Sequence, residues 1–451
     1  MPWLKTAFAA IISLCFCVSA FGADISSSAF VRGQSAWIHG TGFAPNSTVY
    51  LLHAGQAGNG PCAQNNAICV DILGPQVVTT KTANPNVKVA MGGNHASNTI
   101  SDYEFALRNP ECGIPTTIKE LDDPNIDVLV RGEADFIAPV LADRLANDQN
   151  IHNLDGVAIK SNGSYRINAA PPRLEAAKLP IPRRDLMNME GYFNLGMYHS
   201  PTKGGERALN VMASRGCPEK CSFCTTPAMW GAKVRWRNVD DIVAEIERSI
   251  EEYGIEQIQF EDDTITANKS KAIDLFTKVG RFGKKLFVPN GSKANYHKRH
   301  QLEMYKVMAD AGMHQINIAA ESGSQRVLDQ VIHKNLKTDE VLNAIDNAKE
   351  AGIPKVHVFY VVGMVGETRA EIEETLEFAR TAGSDSYSIA MFAPLPGTPM
   401  YHQVMKQDLW WPGVEPSDII YNRSLIRVDG FSNPKEFEAF IEAHSKSKKL
   451  T

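Results

Sequence analysis

The sequence predicts an α/β protein whose core is a partial barrel of six β/α units, preceded by a smaller α/β segment and a short β-rich stretch. Three observations predict it. From Ala208 onward an apolar strand and an amphipathic helix alternate about every thirty to forty residues, the length of a β-α unit. Before that, two apolar runs end in glycine turns: Val87–Met91 in Gly92-Gly93, and Ile126–Val130 in Arg131-Gly132-Glu133. Buried strands running into such turns suit a parallel sheet covered by helices. Between the two regions Pro171, Pro172, Pro180 and Pro182 make an extended linker, because proline fixes φ and disfavours helix in the preceding residue. With 451 residues, 43% of them apolar, the chain is long enough for one large domain and one or two smaller ones.

The amino terminus reads as a secretory signal. Lys5 precedes an apolar run from Ala7 to Ala20, and Ala20 and Gly22 are placed for cleavage before Ala23. The run is too short for a comfortable bilayer span, so it predicts export and no stable membrane segment. From Ser26 to about Thr82 short strands such as Thr48–Leu52 are broken by Gly40, Gly42, Pro45 and Asn46. The stretch GTGFAPNSTVYLL resembles strands of secreted immunoglobulin-like modules, and Cys62 and Cys69 can pair in an oxidising compartment.

The barrel strands are expected at Ala208–Ala213, Gln257–Phe260, Leu286–Pro289, Gln315–Ala320, Val356–Val362 and Tyr387–Phe392. Helix signals fall between them. Asn238 is placed to cap a helix with the apolar face Val239, Ile242, Val243, Ile246 and Ile250. Thr368 and Glu371 form a capping box, and Gly352 and Gly383 stand where helix ends need a left-handed residue.

The chemistry is carried by Cys217-Pro-Glu-Lys-Cys221-Ser-Phe-Cys224, which follows the first barrel strand directly. Its three thiols therefore lie in a loop at the carboxyl end of a strand, where such barrels place active sites. Three soft ligands in one loop suit iron–sulfur or zinc. A closed zinc site wants four ligands, no Cys follows Cys224, and a His would have to supply the fourth. Three cysteines leave one iron of a 4Fe–4S cluster open to a chelating substrate.

The CxxxCxxC spacing, with Phe223 before the last Cys, resembles the signature of radical S-adenosylmethionine (SAM) enzymes. The resemblance implies that Cys217, Cys221 and Cys224 hold a 4Fe–4S cluster. It implies further that the cofactor's amino and carboxylate groups bind the open iron, and that reductive cleavage of SAM yields a 5′-deoxyadenosyl radical that abstracts hydrogen. Further matches fall at strand ends. Glu261-Asp262-Asp263 resembles the segment that contacts the methionine amino group, and Glu321-Ser322-Gly323-Ser324 the ribose-contacting segment. Val361-Val362-Gly363-Met364-Val365-Gly366-Glu367 resembles the motif beside the adenine, and Pro394-Leu395-Pro396-Gly397-Thr398-Pro399 a turn near the substrate. VKVAMGGNHAS and DVLVRGEAD look like the second half of the cobalamin-binding domain that precedes the core in cobalamin-dependent members. The fold so implied is a partial (β/α)6 TIM-like barrel behind a truncated Rossmann-like cobalamin-binding domain. An Asp-x-His-x-x-Gly segment is missing, since His39 has Trp37 where the Asp should stand. Cobalamin is thus a candidate cofactor beside the cluster and SAM.

The expected domains are a signal-like segment at 1–23, a β-rich segment at 24–83 and a partial cobalamin-binding-like domain at 84–170. A linker at 171–203, the barrel at 204–401 and an extension at 402–451 follow. Export conflicts with a core that needs cytosolic SAM, reduced thiols and a low-potential electron donor of flavodoxin or ferredoxin type. The core is favoured, which makes the location cytoplasmic and the first eighty or so residues a fusion or a gene-model artefact. Basic residues number 46 against 51 acidic, without a long basic run, so nucleic acid is not the expected partner, and the resemblance implies a small-molecule substrate. The function expected is C–H functionalisation by methyl transfer or cyclisation on a small molecule, tetrapyrrole or lipid. RNA methylthiolation, and a secreted β-module with an inert core, are the alternatives.

Overall fold

The computed structural model describes residues 88–195, 206–414 and 423–445, together with the backbone of β1 (Asp24–Ser27) and β2 (Ile38–Thr41), an antiparallel pair. The signal-like segment and most of the β-rich segment, Cys62 and Cys69 included, lie outside the described residues. The chain divides into two compact units. The first is Met1–Arg108, Pro115–Leu174 and Leu179–Glu206, and the second Asn109–Ile114, Glu175–Lys178 and Arg207–Thr451.

In the first unit, β3 (Ala90–Met91) pairs in parallel with β4 (Val128–Val130). Their glycine turns lie where the sequence puts them, but β3 is shorter than the expected Val87–Met91. The sheet then departs from the parallel pattern, because β4 pairs antiparallel with β5 (Val157–Ser161) and β5 with β6 (Ser164–Ile167). The hairpin is made by Asn162-Gly163, both at positive φ (51° and 77°), the two-residue turn whose twist matches its strands. Alternation along β4 fills both faces. Leu129 meets helix α1 (Gly93–Arg108) through Ala96 and Ile100, while Val128 and Val130 meet α2 (Ile137–Ala146) through Ile137 and Leu141.

The second unit is built on six parallel strands: β7 (Ala208–Val211), β10 (Gln257–Phe260), β11 (Lys285–Ser292), β12 (Met313–Glu321), β13 (Lys355–Val362) and β14 (Ser386–Met391). Their order in the sheet is β14-β13-β12-β11-β10-β7, so every strand lies beside its predecessor in the chain. The short strands β8 (Ser214–Arg215) and β9 (Arg235–Trp236) form a separate antiparallel pair. Every expected barrel strand is present. The third runs beyond Pro289 to Ser292, with a register irregularity between Val288 and Ser292. Such an irregularity re-aims the strand end, here just ahead of Lys293.

The connections are α3 (Val239–Tyr253), α4 (Lys269–Gly280), α5 (Gln301–Asp310), α6 (Thr338–Glu350) and α7 (Arg369–Thr381). Asn238 caps α3 by accepting from the Asp240 N–H at 3.0 Å, and Val239, Ile242, Val243 and Ile246 are its buried face. The Thr368–Glu371 capping box opens α7, and Gly352 and Gly383 sit at φ +84° and +81° after α6 and α7. The region expected to be an extension is part of this unit. Leu425, Ile426, Val428, Phe437 and Ile441 join one buried cluster with Val362, Met364 and Met391. The segment Asn109–Ile114 also belongs here, where Gly113 lies against the Met405 backbone of α8 (Pro399–Lys406). Among the described residues no helix is long and apolar enough to cross a membrane.

Candidate active site

The cysteine loop is an excursion from the carboxyl end of β7. Its base is closed by the β8–β9 pair, with the Arg215 guanidinium 4.7 Å from the Trp230 ring and Arg235 donating to the Trp230 carbonyl at 2.7 Å. Gly216 begins the loop at φ +104°, and the Cys217 N–H donates to the Gly231 carbonyl at 3.3 Å. Cys217, Cys221 and Cys224 are half-buried and free. Burial pushes the Cys217 thiol up to about 11, against a hydrogen bond from the Glu219 backbone. Burial pushes Cys221 up to about 12, with Lys334 pulling the other way. Loading a metal group here therefore releases protons from the protein.

Three anchors hold the loop. Ser222 is buried between Cys221 and Phe223, and its N–H and Oγ donate to the carbonyls of Ile332 (2.9 Å) and Val331 (2.7 Å). Those are the last carbonyls of the π-helix Val327–Ile332, groups that have no partner within a helix. The Met400 N–H, at the start of α8, donates to the Ser222 carbonyl at 3.0 Å. On the Cys217 side, Glu219 accepts from Lys293 Nζ at 2.7 Å and from the Tyr296 hydroxyl at 3.1 Å. Cys221 and Phe223 pack against the apolar cluster of Val362 and Met364, so Phe223 contributes to the bed of the loop.

The remaining expected residues divide by environment. Glu261 and Asp263, half-buried at the end of β10, accept from Asn210 Nδ2 (2.9 Å) and from Thr226 Oγ1 (3.0 Å). Glu321 ends β12 and pairs with Lys334 at 2.7 Å. Asp262 is fully buried, accepts from the Ala213 N–H at 2.9 Å, from Ser214 Oγ at 2.5 Å and from the Ser214 N–H, and so fixes the strand-to-loop turn. Ser322 is likewise enclosed, its Oγ 2.9 Å from Thr375 Oγ1 and accepting from the Ser324 N–H at 3.0 Å. A side chain on Gly363 would strike the Phe437 ring at 2.7 Å, so its missing Cβ makes room for α9 (Pro434–Ser445). Gly366, at φ +80°, has open space beside it. Lys334 and Lys293 belong to no motif and Ser222 is a variable position of the cysteine motif, and sequence reasoning missed all three.

Glu367 closes the turn after β13 by accepting from Gly363 N–H at 2.6 Å and Met364 N–H at 3.0 Å. Burial pushes its carboxyl up to about 7, against those two donors, from an ordinary value of 4.5. The folded state then holds a proton that the unfolded state has lost, so stability falls as pH rises from about 4.5 through 7. Asp262, pushed up to about 7 by burial, acts with the same sign. Thermal melts between pH 5 and pH 8 are expected to show this loss, and Glu367→Gln to reduce it by on the order of 2 kcal/mol. A variant as pH-dependent as the parent would contradict it.

Among the described residues no three His, Cys, Asp or Glu side chains converge as a single metal ion requires. A lone zinc would draw its thiolates to roughly 3.8 Å apart, the edge of a tetrahedron with 2.3 Å bonds. A cubane binds each thiolate to a different iron, and a loop of three separate, free cysteines fits that demand.

A six-stranded parallel sheet with a three-cysteine loop at the carboxyl end of its first strand defines a class. Residues 211–379 match the family profile of the Radical SAM superfamily. It is 29% identical to the cytidylyl-2-hydroxyethylphosphonate methyltransferase of Streptomyces wedmorensis, over 70% of this chain and 64% of that one. It is 31% identical to an uncharacterized methyltransferase of Pyrococcus horikoshii, over 73% of this chain and 65% of that one. The chain thus spans just under two thirds of either relative. Among solved structures, the cobalamin-dependent SAM radical enzyme OxsB, with aqua-cobalamin and SAM bound, superposes with a TM-score of 0.58 at 16% identity. That match covers 79% of this chain and 53% of OxsB, a likeness of fold.

Proposed function

We propose that the chain is a radical SAM enzyme that binds a 4Fe–4S cluster through Cys217, Cys221 and Cys224 and acts on an unactivated C–H bond of a small molecule. The observation that carries this reading is the cysteine loop itself, three free, half-buried thiols held by Ser222 and Glu219 at the carboxyl end of β7. When bound, the cluster supplies one low-potential electron and an open iron at which SAM is cleaved. The chain's part is to hold that place. Phe223 and the apolar cluster behind Cys221 limit water on one side, while Glu261 and Asp263 present acidic groups suited to the methionine ammonium. Asp262 fixes the turn that leads into the cysteine loop, and Ser322 and Gly363 are held in the turns after β12 and β13. In this reading the six-stranded sheet is a partial (β/α)6 barrel and the enzyme works in the cytoplasm, supplied by a flavodoxin- or ferredoxin-type donor.

Methyl transfer is favoured over cyclisation, since the two relatives above are named as methyltransferases. Cobalamin is the corresponding second cofactor, and the first unit fits it in part. Its two parallel strands end in Gly93 (φ +87°) and Gly132 (φ +75°), and the buried Asn98 Oδ1 meets no hydrogen-bond donor. The test is anaerobic reconstitution of the full chain, followed by assay for dithionite-dependent 5′-deoxyadenosine from SAM. About four irons per chain and deoxyadenosine above a no-enzyme control are expected. A folded chain that takes up zinc but no iron–sulfur cluster would overturn the reading.

A further inference from the structure

Resting on the cluster reading, we infer that Lys334 is a positioning residue for the cluster, whose buried ammonium, held by Glu321, fixes the charge beside Cys221 and sets how readily the cluster accepts an electron. Lysine is almost never enclosed unless paired. Lys334 is 5% exposed, and its Nζ is held 2.7 Å from Glu321 Oε1, itself largely covered. Glu321 meets it from a strained backbone. It ends β12 at φ +68°, a left-handed conformation that costs a non-glycine residue about 1–2 kcal/mol and persists only where its surroundings impose it.

One hydrogen bond and two residues of chain link the pair to the cysteine loop. Ile332, which accepts from the Ser222 N–H, lies two residues before Lys334, and Ser222 adjoins Cys221. The turn between them is fixed, with His333 and Asn335 both left-handed (φ 59° and 47°) and the Lys334 N–H donating to the Leu328 carbonyl at 3.0 Å. Burial works against the Lys334 charge, and the Glu321 carboxylate paired with it works for it. A fixed positive charge in a low-dielectric site favours the state with one more electron, and its counter-ion moderates the effect.

The test is a redox titration of the reconstituted full chain followed by electron paramagnetic resonance, with dithionite as the electron source and no SAM present. Lys334→Met is expected to lower the reduced-to-oxidised ratio at a fixed poise tenfold or more, about 59 mV for a one-electron couple. Lys334→Arg keeps the charge and is expected to stay near the parent. Glu321→Gln removes the opposing charge and is expected to shift the ratio upward. Lys334→Met and Glu321→Gln moving it in the same direction, or neither moving it, would overturn the inference and leave Lys334 a packing residue. Where Lys334→Met does not fold, Glu321→Gln and the double variant decide, the double being expected below Glu321→Gln. If the double matches Glu321→Gln, the inference fails. A parent chain that loads no cluster overturns the underlying reading instead, so the two failures are distinguishable.

Discussion

Alanine at any one of Cys217, Cys221 or Cys224 is expected to remove the visible iron–sulfur absorption and cut SAM cleavage by roughly 10³-fold or more, about 4 kcal/mol of barrier. Each thiolate serves a different iron, so no neighbour can take over a missing position. The apo fold is expected to survive. All three side chains are half-exposed, and the loop is held by Ser222, Glu219 and the β8–β9 pair rather than by the sulfurs. Of the three, Cys221 touches the apolar cluster and is expected to cost about 1 kcal/mol in the apo protein, the others less. Iron analysis, absorption spectra and apo denaturation together check this. A variant that keeps its cluster with one cysteine gone would show that another residue is a ligand.

Gly216→Ala is expected to be the most damaging small substitution in the loop. At φ +104° an added Cβ would collide with the Lys233 carbonyl oxygen and stand 3.1 Å from that of Gly231. Both obstacles are backbone, so no rotamer relieves them, and the cost is the left-handed penalty of about 1–2 kcal/mol plus a steric part of about 1–3 kcal/mol. The structure can escape by opening the excursion from 216 to 234, which would scatter the cysteines. Urea denaturation should therefore show a loss of about 3 kcal/mol or more, or else a stable protein with little iron. Gly283→Ala, at φ +60° with nothing within 4 Å, is the control and should lose only the conformational part. Equal losses in the two variants would mean that the loop relaxes without consequence.

Features that depend on local pattern were legible in the sequence. The six strands of the second unit, the Asn238 and Thr368 caps and the cysteine spacing all follow from periodicity, turn chemistry or ligand type, which neighbouring residues determine. Features that depend on distant partners were not. Asp262 stands in an acidic triplet that looks exposed, yet Ala213 and Ser214 enclose it from 49 and 48 residues away. The space that a side chain on Gly363 would take is occupied by Phe437, a partner far along the chain. The roles of Lys334, which belongs to no motif, and of Ser222, a variable position of the cysteine motif, were not legible because their partners, Glu321, Val331 and Ile332, are assembled only by the fold. In the first unit the two apolar runs point to the parallel β3–β4 pair alone, and the Asn162-Gly163 turn is the signal of the antiparallel β5–β6 hairpin beyond it.

The anchors of the cysteine loop also impose an order on maturation. Cys224 leaves the ribosome long before Lys293, Val331, Ile332 and Met400, the residues that hold its loop in shape. Contacts so distant in sequence form late, after most of the domain has collapsed. During synthesis the three thiols are thus unrestrained and open to oxidation or to stray metal. Iron delivery must follow completion of the chain to about residue 400, which makes cluster insertion a step performed on a nearly finished protein rather than a nucleus around which it folds. A nascent chain arrested before Met400 should accordingly expose all three cysteines to alkylation, and the released apo protein fewer.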